Sequence, residues 1–262
     1  MDRAQELLSR MKQGSCKVVG GHVFFTDPSI SAAMATFGYD FIWIDGEHGP
    51  FDKQNLLMHV IAVNEGGSAA FVRVPVNDPA VIKPVLEMGI DGIIIPMVLT
   101  QAEAQAAVAA CLYPPEGIRG FGPRRAIKYG KTDIKTYLET AKESFLRIIQ
   151  IEHVTAVENI EAILCVEGLD AIIIGPNDLS ASLDLLGQST HPQVLQLGSR
   201  VIKAAKNAGK PVGVSIGPDE AVIGMWMEMG VDFISVGDDI SFLQQGAART
   251  LGFVSRQAER IV

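Results

Sequence analysis

Two carboxylates follow long apolar runs of this sequence. Glu152 ends the run at 145–152, and Asp178 stands three residues after the run at 171–175. If these runs are neighbouring strands, the two acids meet across one strand spacing of about 5 Å. Hard oxygen ligands of this kind bind Mg²⁺ or Mn²⁺, so the pair predicts a divalent-metal site. The alternative is that Asp178 or Ser180 caps a helix and that Glu152 is a solvated acid.

A second ionisable cluster, Asp-Gly-Glu-His at 45–48, follows the apolar run at 41–45. Histidine exchanges protons near neutral pH, so His48 is a candidate proton shuttle. Asp-Gly is also ordinary turn chemistry. The alternative is therefore a surface turn with exposed Glu47 and His48.

Three further positions could contact an anionic substrate. Arg73 closes the segment Ala-Ala-Phe-Val-Arg at 69–73 and offers a planar fork suited to a carboxylate, although it could equally form a structural ion pair. Gln150 stands two residues before Glu152 and shares its strand face. Gly120 could bring a backbone N–H close to an anion. The histidines without a sequence partner are interpreted as packing or surface residues: His22, His59, His153 and His191.

Lysine is absent from every apolar run, because Lys17 and Lys210 only precede theirs. A desolvated lysine at a strand end is what Schiff-base chemistry requires. Carbanion chemistry in this chain would therefore need a metal as the electron sink.

Eight strand-like runs must position these residues. Continuous Ile, Val and Phe runs are typical of strands covered on both faces, and helix-like segments with glycine turns separate most of them. Strands alternating with helices pair in parallel, and eight units without a Gly-x-Gly-x-x-Gly unit favour a (β/α)₈ barrel over an open sheet. The runs are 18–25, 41–45, 69–74, 92–97, 145–152, 171–175, 211–216 and 233–236.

No segment resembles an interdomain linker, so residues 1–262 are predicted to form a single barrel domain. The N-terminus predicts an amphipathic helix, and 240–262 predicts an extra terminal helix with a glycine break. The polar segment 117–132 predicts a long loop over the barrel mouth. A barrel of this kind has its active site at the carboxyl ends of the strands, which is where the candidate acids stand.

Composition excludes several classes of protein. The 30 acidic and 22 basic residues give a net charge of −8, which argues against nucleic acid as a partner. No run approaches the roughly 20 apolar residues of a membrane span, and the charged, amphipathic N-terminal segment does not predict a signal peptide. Three scattered cysteines predict neither disulfides nor zinc but small buried side chains. We expect a cytoplasmic protein without a membrane partner.

Several ordered motifs together resemble the HpcH/HpaI aldolases, which are metal-dependent pyruvate aldolases of the 4-hydroxy-2-oxoheptanedioate aldolase type associated with aromatic catabolism. The resemblance covers almost the whole chain. Its motifs are DFIWIDGEH at 40–48, VR at 72–73, NDP at 77–79, IPM at 95–97, YPPEGIRG at 113–120, IQIE at 149–152 and GPNDLS at 175–180.

The resemblance implies a carbon–carbon lyase that reversibly cleaves a 4-hydroxy-2-oxo acid to pyruvate and an aldehyde. It implies that Glu152 and Asp178 bind Mg²⁺, Mn²⁺ or Co²⁺, and that His48, oriented by Asp45, moves the proton. Substrate contacts are implied for a further set of residues: Arg73, Gln150, Gly120, Pro176, Asn177 and Ser215.

Three positions depart from the better-known members of that family. Glu87 stands where an aspartate would partner the histidine across a subunit boundary. Ser215 replaces an apolar residue near the aldehyde, and the basic residues Arg124 and Arg125 favour an acidic acceptor. The resemblance also implies a homohexamer with exchanged C-terminal helices, which the segment 240–262 can supply.

Two other functions stay open at the level of sequence. One is a related metal-enolate enzyme, such as an acyl-CoA or malyl-CoA lyase or an oxaloacetate-type decarboxylase, for which Arg124, Arg125 and Lys128 would supply a nucleotide groove. The other is a non-catalytic barrel subunit. The four residues Glu152, Asp178, His48 and Arg73 argue against the second.

Overall fold

A computed structural model describes residues 3–261 and contains one closed barrel of parallel strands. Each strand pairs with the next along the chain, and the last pairs with the first. The strands begin and end within two residues of the predicted runs. They are β1 (Val18–Val23), β2 (Phe41–Asp45), β3 (Ala69–Arg73), β4 (Gly92–Ile95), β5 (Leu146–Ile151), β6 (Ala171–Ile174), β7 (Val212–Ile216) and β8 (Phe233–Asp238).

Helices occupy the connections between strands, which confirms the (β/α)₈ prediction. They are α1 (Arg3–Lys12), α2 (Pro28–Ala35), α3 (Lys53–Glu65), α4 (Pro79–Glu87), α5 (Gln101–Cys111), α6 (Ile134–Thr140), α7 (Val154–Glu158), α8 (Ile160–Leu164), α9 (Pro176–Ala181), α10 (Pro192–Asn207), α11 (Glu220–Glu228) and α12 (Asp239–Ile261). None of the described helices is both long enough and apolar enough to span a bilayer.

The barrel interior is filled by alternate residues of the strands, because successive side chains of a strand point to opposite faces. Phe41, Phe71 and Phe233 lie inside, and the rings of Phe41 and Phe71 stack at 4.5 Å. The N-terminal helix α1 contributes Leu7 and Met11 to the same interior cluster. The predicted N-terminal helix thus covers one end of the barrel, and the chemistry is left to the other end.

Two details of the predicted helices and cysteines are wrong. The terminal segment is one uninterrupted helix, α12, because Gly246 and Gly252 cost only about 1 kcal/mol each in a long helix. Cys16 and Cys111 are buried as predicted, whereas Cys165 is exposed.

The segment 117–132 does not lie over the barrel mouth. Arg125 donates to the backbone carbonyls of Met88 and Gly89, which follow α4, and to Asn64 near the end of α3. These positions precede strands, so they mark the amino-terminal end of the barrel. The segment follows α5 and leads to β5, and such a connection starts at that end, opposite to the mouth.

Candidate active site

Polar residues at the carboxyl end of the barrel continue the inward-facing rows of the core. On β2 the row is Phe41, Trp43 and Asp45, and on β3 it ends with Phe71 and Arg73. The row of β5 likewise continues through Gln150 to Glu152, one residue beyond the strand. Alternation along buried strands therefore places these groups in a common layer above the apolar interior.

Arg73 is the centre of this layer. Its Nε donates to Asp45 Oδ1 at 3.0 Å and its Nη2 donates to Asp45 Oδ2. Its Nη1 lies 3.1 Å from Glu47 Oε2 and donates to Gln150 Oε1 at 3.3 Å. The guanidinium carbon lies 5.3 Å from the centre of the Trp43 ring. Arg73 is thus both the structural ion pair and the cavity residue that the sequence left as alternatives.

Asp45 is fully buried at 0% exposure and is held ionised by its neighbours. Burial by itself raises its pKa, but the hydrogen bonds and the charge of Arg73 outweigh burial, so the pKa of Asp45 lies below its ordinary value. Asp45 Oδ1 also accepts the backbone N–H groups of Glu47 and His48, both at 3.1 Å. Asp45 therefore fixes the turn that carries His48.

His48 projects from this turn into the mouth of the barrel, and its side chain is 60% exposed. Its Nε2 lies 3.9 Å from Glu47 Oε2. Glu47 is not the surface residue of the alternative interpretation, because it is partly buried and pairs with Arg73. Burial, which outweighs the charge of Arg73, raises the pKa of Glu47 above its ordinary value.

Glu152 is buried at 3% exposure, and both of its oxygens are oriented. Oε1 accepts the backbone N–H of Met97 at 2.8 Å, and Oε2 accepts from Gln150 Nε2. Met97 presents that N–H from a left-handed backbone with φ of 52°, which costs a non-glycine residue about 1–3 kcal/mol. The left-handed backbone of Met97 thus directs the N–H that holds Glu152 in position.

Carboxylates crowd around Glu152. Burial first, and then the negative charges of Asp178 and Glu47, raise the pKa of Glu152 to about 7 against the opposing effect of the Met97 N–H. Acids gathered without enough positive charge are what a bound cation would stabilise. This excess of negative charge is consistent with the predicted metal site.

Asp178 lies in the first turn of α9 and is exposed to the cavity. It does not cap the helix, since Gly175 occupies the cap position and no side chain there makes a capping bond. Ser180 instead donates to the carbonyl of Asn177 at 2.6 Å. The helix-cap alternative for both residues is therefore wrong. The described residues include no set of three or more His, Cys, Asp or Glu side chains around one metal position, whereas the prediction requires two.

A cavity of about 370 Å³ opens at this end of the barrel. Most of the predicted site residues line this cavity. Glu152 accepts a hydrogen bond from one of them, Gln150. The predicted residues on its wall are Asp45, His48, Arg73, Gln150, Pro176, Asn177, Asp178 and Ser215.

Glu87 and Gly120 lie away from this cavity. Glu87 Oε1 accepts from Arg119 Nη2 at 2.9 Å, and a Cβ at Gly120 would meet the Lys83 side chain of α4 at 3.4 Å. Within one chain the structure therefore does not support the predicted substrate contact of Gly120. The role of Glu87 concerns a neighbouring subunit and stays a prediction.

His22 and Asp238 are cavity residues that the sequence interpretation missed. His22 stands on the inward row of β1 and is 7% exposed, between Ser215 Oγ at 3.4 Å from Nε2 and Ser235 Oγ at 3.1 Å from Nδ1. The sequence contains a signal for His22, because it is a polar residue near the end of a strand-like run, and the same pattern identifies Asp45.

Acidification is expected to destabilise the fold through His22. Burial lowers the pKa of this histidine from 6.5 to about 4, so the ring is neutral in the folded chain. Between these two values the unfolded state binds more protons, so the contribution of His22 is complete above pH 6.5 and is lost as the pH falls toward 4. From pH 7 to pH 5 the loss corresponds to about 2 kcal/mol of unfolding free energy.

Urea denaturation at both pH values measures this effect. The difference between pH 7 and pH 5 should shrink by about 2 kcal/mol in His22→Gln relative to the wild type. His191→Gln, at the start of α10, is the matched control and should keep the wild-type difference. An undiminished pH dependence in His22→Gln would contradict the prediction.

Comparisons with known proteins agree with this geometry. The family described as HpcH/HpaI aldolase/citrate lyase matches residues 22–244. A relative from Salmonella arizonae named 5-keto-4-deoxy-D-glucarate aldolase is 38% identical over 223 residues, which cover 85% of this chain and 86% of the relative.

Solved structures show the same barrel. An HpcH/HpaI aldolase/citrate lyase family protein from Burkholderia cenocepacia superposes with a TM-score of 0.90 at 32% identity, covering 95% of this chain and 99% of that one. A citrate synthase superposes with a TM-score of 0.85 at 28% identity, covering 97% and 98%. The match over most of its length shows that this chain is an enzyme of the HpcH/HpaI aldolase/citrate lyase family.

Proposed function

We propose that this enzyme is a divalent-metal-dependent pyruvate aldolase that reversibly cleaves a 4-hydroxy-2-oxo acid to pyruvate and an aldehyde. The observation that carries the proposal is the placement of Arg73 and Gln150 beside the paired acids Glu152 and Asp178. A positive fork, an amide and two carboxylates suit a substrate that presents a carboxylate and a ketone to a metal.

Glu152 and Asp178 would hold Mg²⁺, Mn²⁺ or Co²⁺. Glu152 is oriented by Met97 and Gln150, and its raised pKa reflects negative charge that a cation would offset. Both side chains supply the oxygen ligands that such cations prefer, and solvent and substrate would complete the coordination. When bound, the cation supplies Lewis-acid stabilisation of a developing enolate.

The residues of the chain bind the pyruvoyl unit and move the proton. Arg73 binds the substrate carboxylate and Gln150 contacts its 2-oxo group. In cleavage a ring nitrogen of His48 accepts the proton of the 4-hydroxyl, the C4–O bond becomes a carbonyl, and the C3–C4 electron pair moves to the enolate. Protonation at C3 then gives pyruvate. Asp45 positions His48 through the backbone of the turn.

The relative's name supports the carbon–carbon cleavage and points toward a deoxy keto sugar acid rather than heptanedioate. Aromatic catabolism, which the resemblance implied, stays a prediction. The basic residues that favoured an acidic acceptor are not on the cavity wall, since Arg125 contacts Met88 and Gly89 at the opposite end. No acceptor charge is therefore inferred from Arg124 and Arg125, and they do not form a CoA groove at this site.

We also propose a homo-oligomer, in keeping with the predicted hexamer. Helix α12 is 23 residues long, follows the last strand of the barrel and carries large exposed apolar side chains, among them Leu243, Leu251 and Phe253. Such a face is typical of a contact between subunits. A neighbouring subunit is also what the predicted partnership of Glu87 with His48 requires.

Loss of the pyruvate methyl proton signal in D₂O tests the reaction without knowledge of the aldehyde. Exchange should require Mg²⁺ or Mn²⁺ and should be lost in His48→Ala and Arg73→Ala. His153→Ala, a histidine at the start of α7, is the matched control. No exchange with any metal would contradict the proposal and favour the acyl-CoA or non-catalytic alternatives.

A methyl group at Gly175 is expected to reduce exchange about 10- to 100-fold. A Cβ there would stand 2.8 Å from Gln150 Nε2 and 3.2 Å from Glu152 Oε2, so both side chains would have to move. Small displacements of positioned groups cost catalysis of this order. The measurement compares the exchange rate of Gly175→Ala with that of Gly224→Ala, where a Cβ would meet nothing within 4 Å. Equal rates would contradict the expectation.

A further inference from the structure

Glu47 has no role in the chemistry proposed above, although it lies between two residues that carry it. A single oxygen of this side chain, Oε2, lies 3.1 Å from Arg73 Nη1 and 3.9 Å from His48 Nε2. Arg73 is the proposed ligand of the substrate carboxylate, and His48 is the proposed proton shuttle. Glu47 therefore links the group that binds the substrate to the group that moves the proton.

Arg73 carries one positive charge, which two carboxylates share. Asp45 accepts hydrogen bonds from Nε and Nη2 of the guanidinium with its two oxygens. Glu47 lies against Nη1, which also donates to the Gln150 amide oxygen. A substrate carboxylate would be the third negative group around one guanidinium, and like charges at such distances repel one another. Binding of the substrate is therefore most favourable if one of the two resident carboxylates moves away.

Glu47 is the carboxylate that can leave. Asp45 is fully buried and also accepts two backbone N–H groups of its own turn, whereas the Glu47 side chain is 19% exposed. The buried Oε2 atom of Glu47 accepts no hydrogen bond among the described residues, so its contact with Arg73 Nη1 is an ion pair without hydrogen-bond geometry. A buried oxygen without a hydrogen bond is a costly arrangement. Glu47 thus gains if it moves to a donor within reach.

His48 is the donor within reach. The 3.9 Å from Glu47 Oε2 to His48 Nε2 exceeds an ordinary hydrogen bond of about 2.9 Å by only about 1 Å. When His48 takes a proton, the resulting imidazolium has an N–H on both ring nitrogens, so Nε2 can donate to a carboxylate. A carboxylate at this position stabilises the charged ring.

We propose, resting on the function proposed above, that Glu47 is a positioning residue that leaves Arg73 when the substrate carboxylate binds and then pairs with His48. In the free site Glu47 occupies the arginine that the substrate needs. In the loaded site the same carboxylate stabilises the imidazolium that forms as His48 takes the proton. Binding of the substrate thus prepares the proton shuttle, at the expense of a weaker affinity for the 2-oxo acid.

Glu47→Gln tests this role, because it keeps the size of the side chain and removes the charge. At saturating Mn²⁺, the KM for exchange of the pyruvate methyl protons in D₂O should fall about three- to tenfold, because Glu47 no longer competes with the substrate carboxylate. The kcat should fall at least about tenfold, because the imidazolium loses its carboxylate. Glu65→Gln, which changes an exposed acid of α3, is the matched control and should keep both wild-type values.

Oxamate measures binding without chemistry, since it presents the carboxylate and the carbonyl of pyruvate but has no methyl group to exchange. Its dissociation constant, measured by calorimetry with Mn²⁺, should fall in Glu47→Gln by the same factor as KM. Agreement between the two factors shows that the change in KM reflects binding of the carboxylate rather than a change in the rate of a later step.

Other roles of Glu47 give different results. A purely structural role would raise both KM and the oxamate dissociation constant, and charge repulsion alone would lower both while kcat stays unchanged. Either result, or wild-type values of all three quantities, would overturn the inference, while exchange in the wild type would still support the aldolase. Absence of exchange in the wild type would overturn the proposed function and this inference with it.

Discussion

Asp178→Ala is expected to lower metal-dependent pyruvate exchange by about 10³-fold or more. The substitution would remove one of the two proposed metal ligands. Loss of the Lewis acid would remove several kcal/mol of transition-state stabilisation. Asp178 is exposed and makes no capping bond in α9, so its removal should leave the fold and its stability almost unchanged. The loss can then be attributed to the site.

Glu152→Ala should lower exchange as much, but with a cost in stability. It would leave the buried Gln150 amide without its acceptor, which costs about 1–3 kcal/mol, and would release the N–H of Met97, a residue that is 49% exposed. Glu152→Gln keeps the size of the side chain and removes the charge, so it should bind metal poorly with a smaller loss of stability. The pair of variants separates the structural role of Glu152 from ligation.

Metal binding by calorimetry, alongside the exchange rate, is the measurement for both positions. Glu161→Ala, an exposed acid of α8, is the matched control and should bind Mn²⁺ like the wild type. Full activity of chelator-treated Asp178→Ala would exclude the metal mechanism. Normal Mn²⁺ affinity in both alanine variants would instead place the metal elsewhere.

The strands and the inner layer of the site were accessible from sequence because both depend on local pattern. The run 41–45 is apolar up to Asp45, and the two-residue period of a strand puts Asp45 on the same face as Phe41 and Trp43. Parallel order along the chain then brings the strand ends together. The neighbouring positions of Arg73 and Gln150, which are 77 residues apart in sequence, follow from the closure of the barrel.

The features that the sequence did not predict depend on packing between segments that are far apart in the chain. The direction of the segment 117–132 depends on the contacts of Arg125 with Gly89 and Asn64, which no local pattern contains. Gly120 belongs to the same segment, so its distance from the cavity depends on the same long-range contacts. His22 is interpreted from sequence as a packing or surface residue because it has no partner in its own segment, and only the register of β1 beside β2 brings it next to Trp43.

Replacing Arg73 with methionine is expected to have the largest effect on stability. Asp45 would stay at 0% exposure without its partner, and breaking a buried ion pair on one side costs about 3–5 kcal/mol. Arg200→Met, which removes an exposed pair with Glu161 at 3.6 Å, is the matched control and should cost less than about 1 kcal/mol. Urea denaturation at pH 7 measures both.

The contribution of Asp45 to the pH dependence of stability should also change in sign. In the wild type the lowered pKa of Asp45 means that its contribution to stability is present above the ordinary value of 3.8 and is lost as the pH falls through the folded value. In Arg73→Met the opposing effect of Arg73 is gone and burial raises that pKa. The folded state would then bind the extra proton, so the contribution of Asp45 should increase as the pH is lowered from 7 toward 4 and offset part of the loss through His22. The variant should therefore lose less stability than the wild type over this range.

Arg73→Met combined with Asp45→Asn separates stability from catalysis. Removing the unpaired charge should recover about 1–3 kcal/mol of the loss, since an asparagine oxygen can still accept from the backbone of Glu47 and His48. The exchange of pyruvate should nevertheless stay at least about 10²-fold below the wild type, because no cation is left to bind the substrate carboxylate. Recovery of exchange together with stability would show that Arg73 acts only through the fold, and that the carboxylate of the substrate is bound by another group.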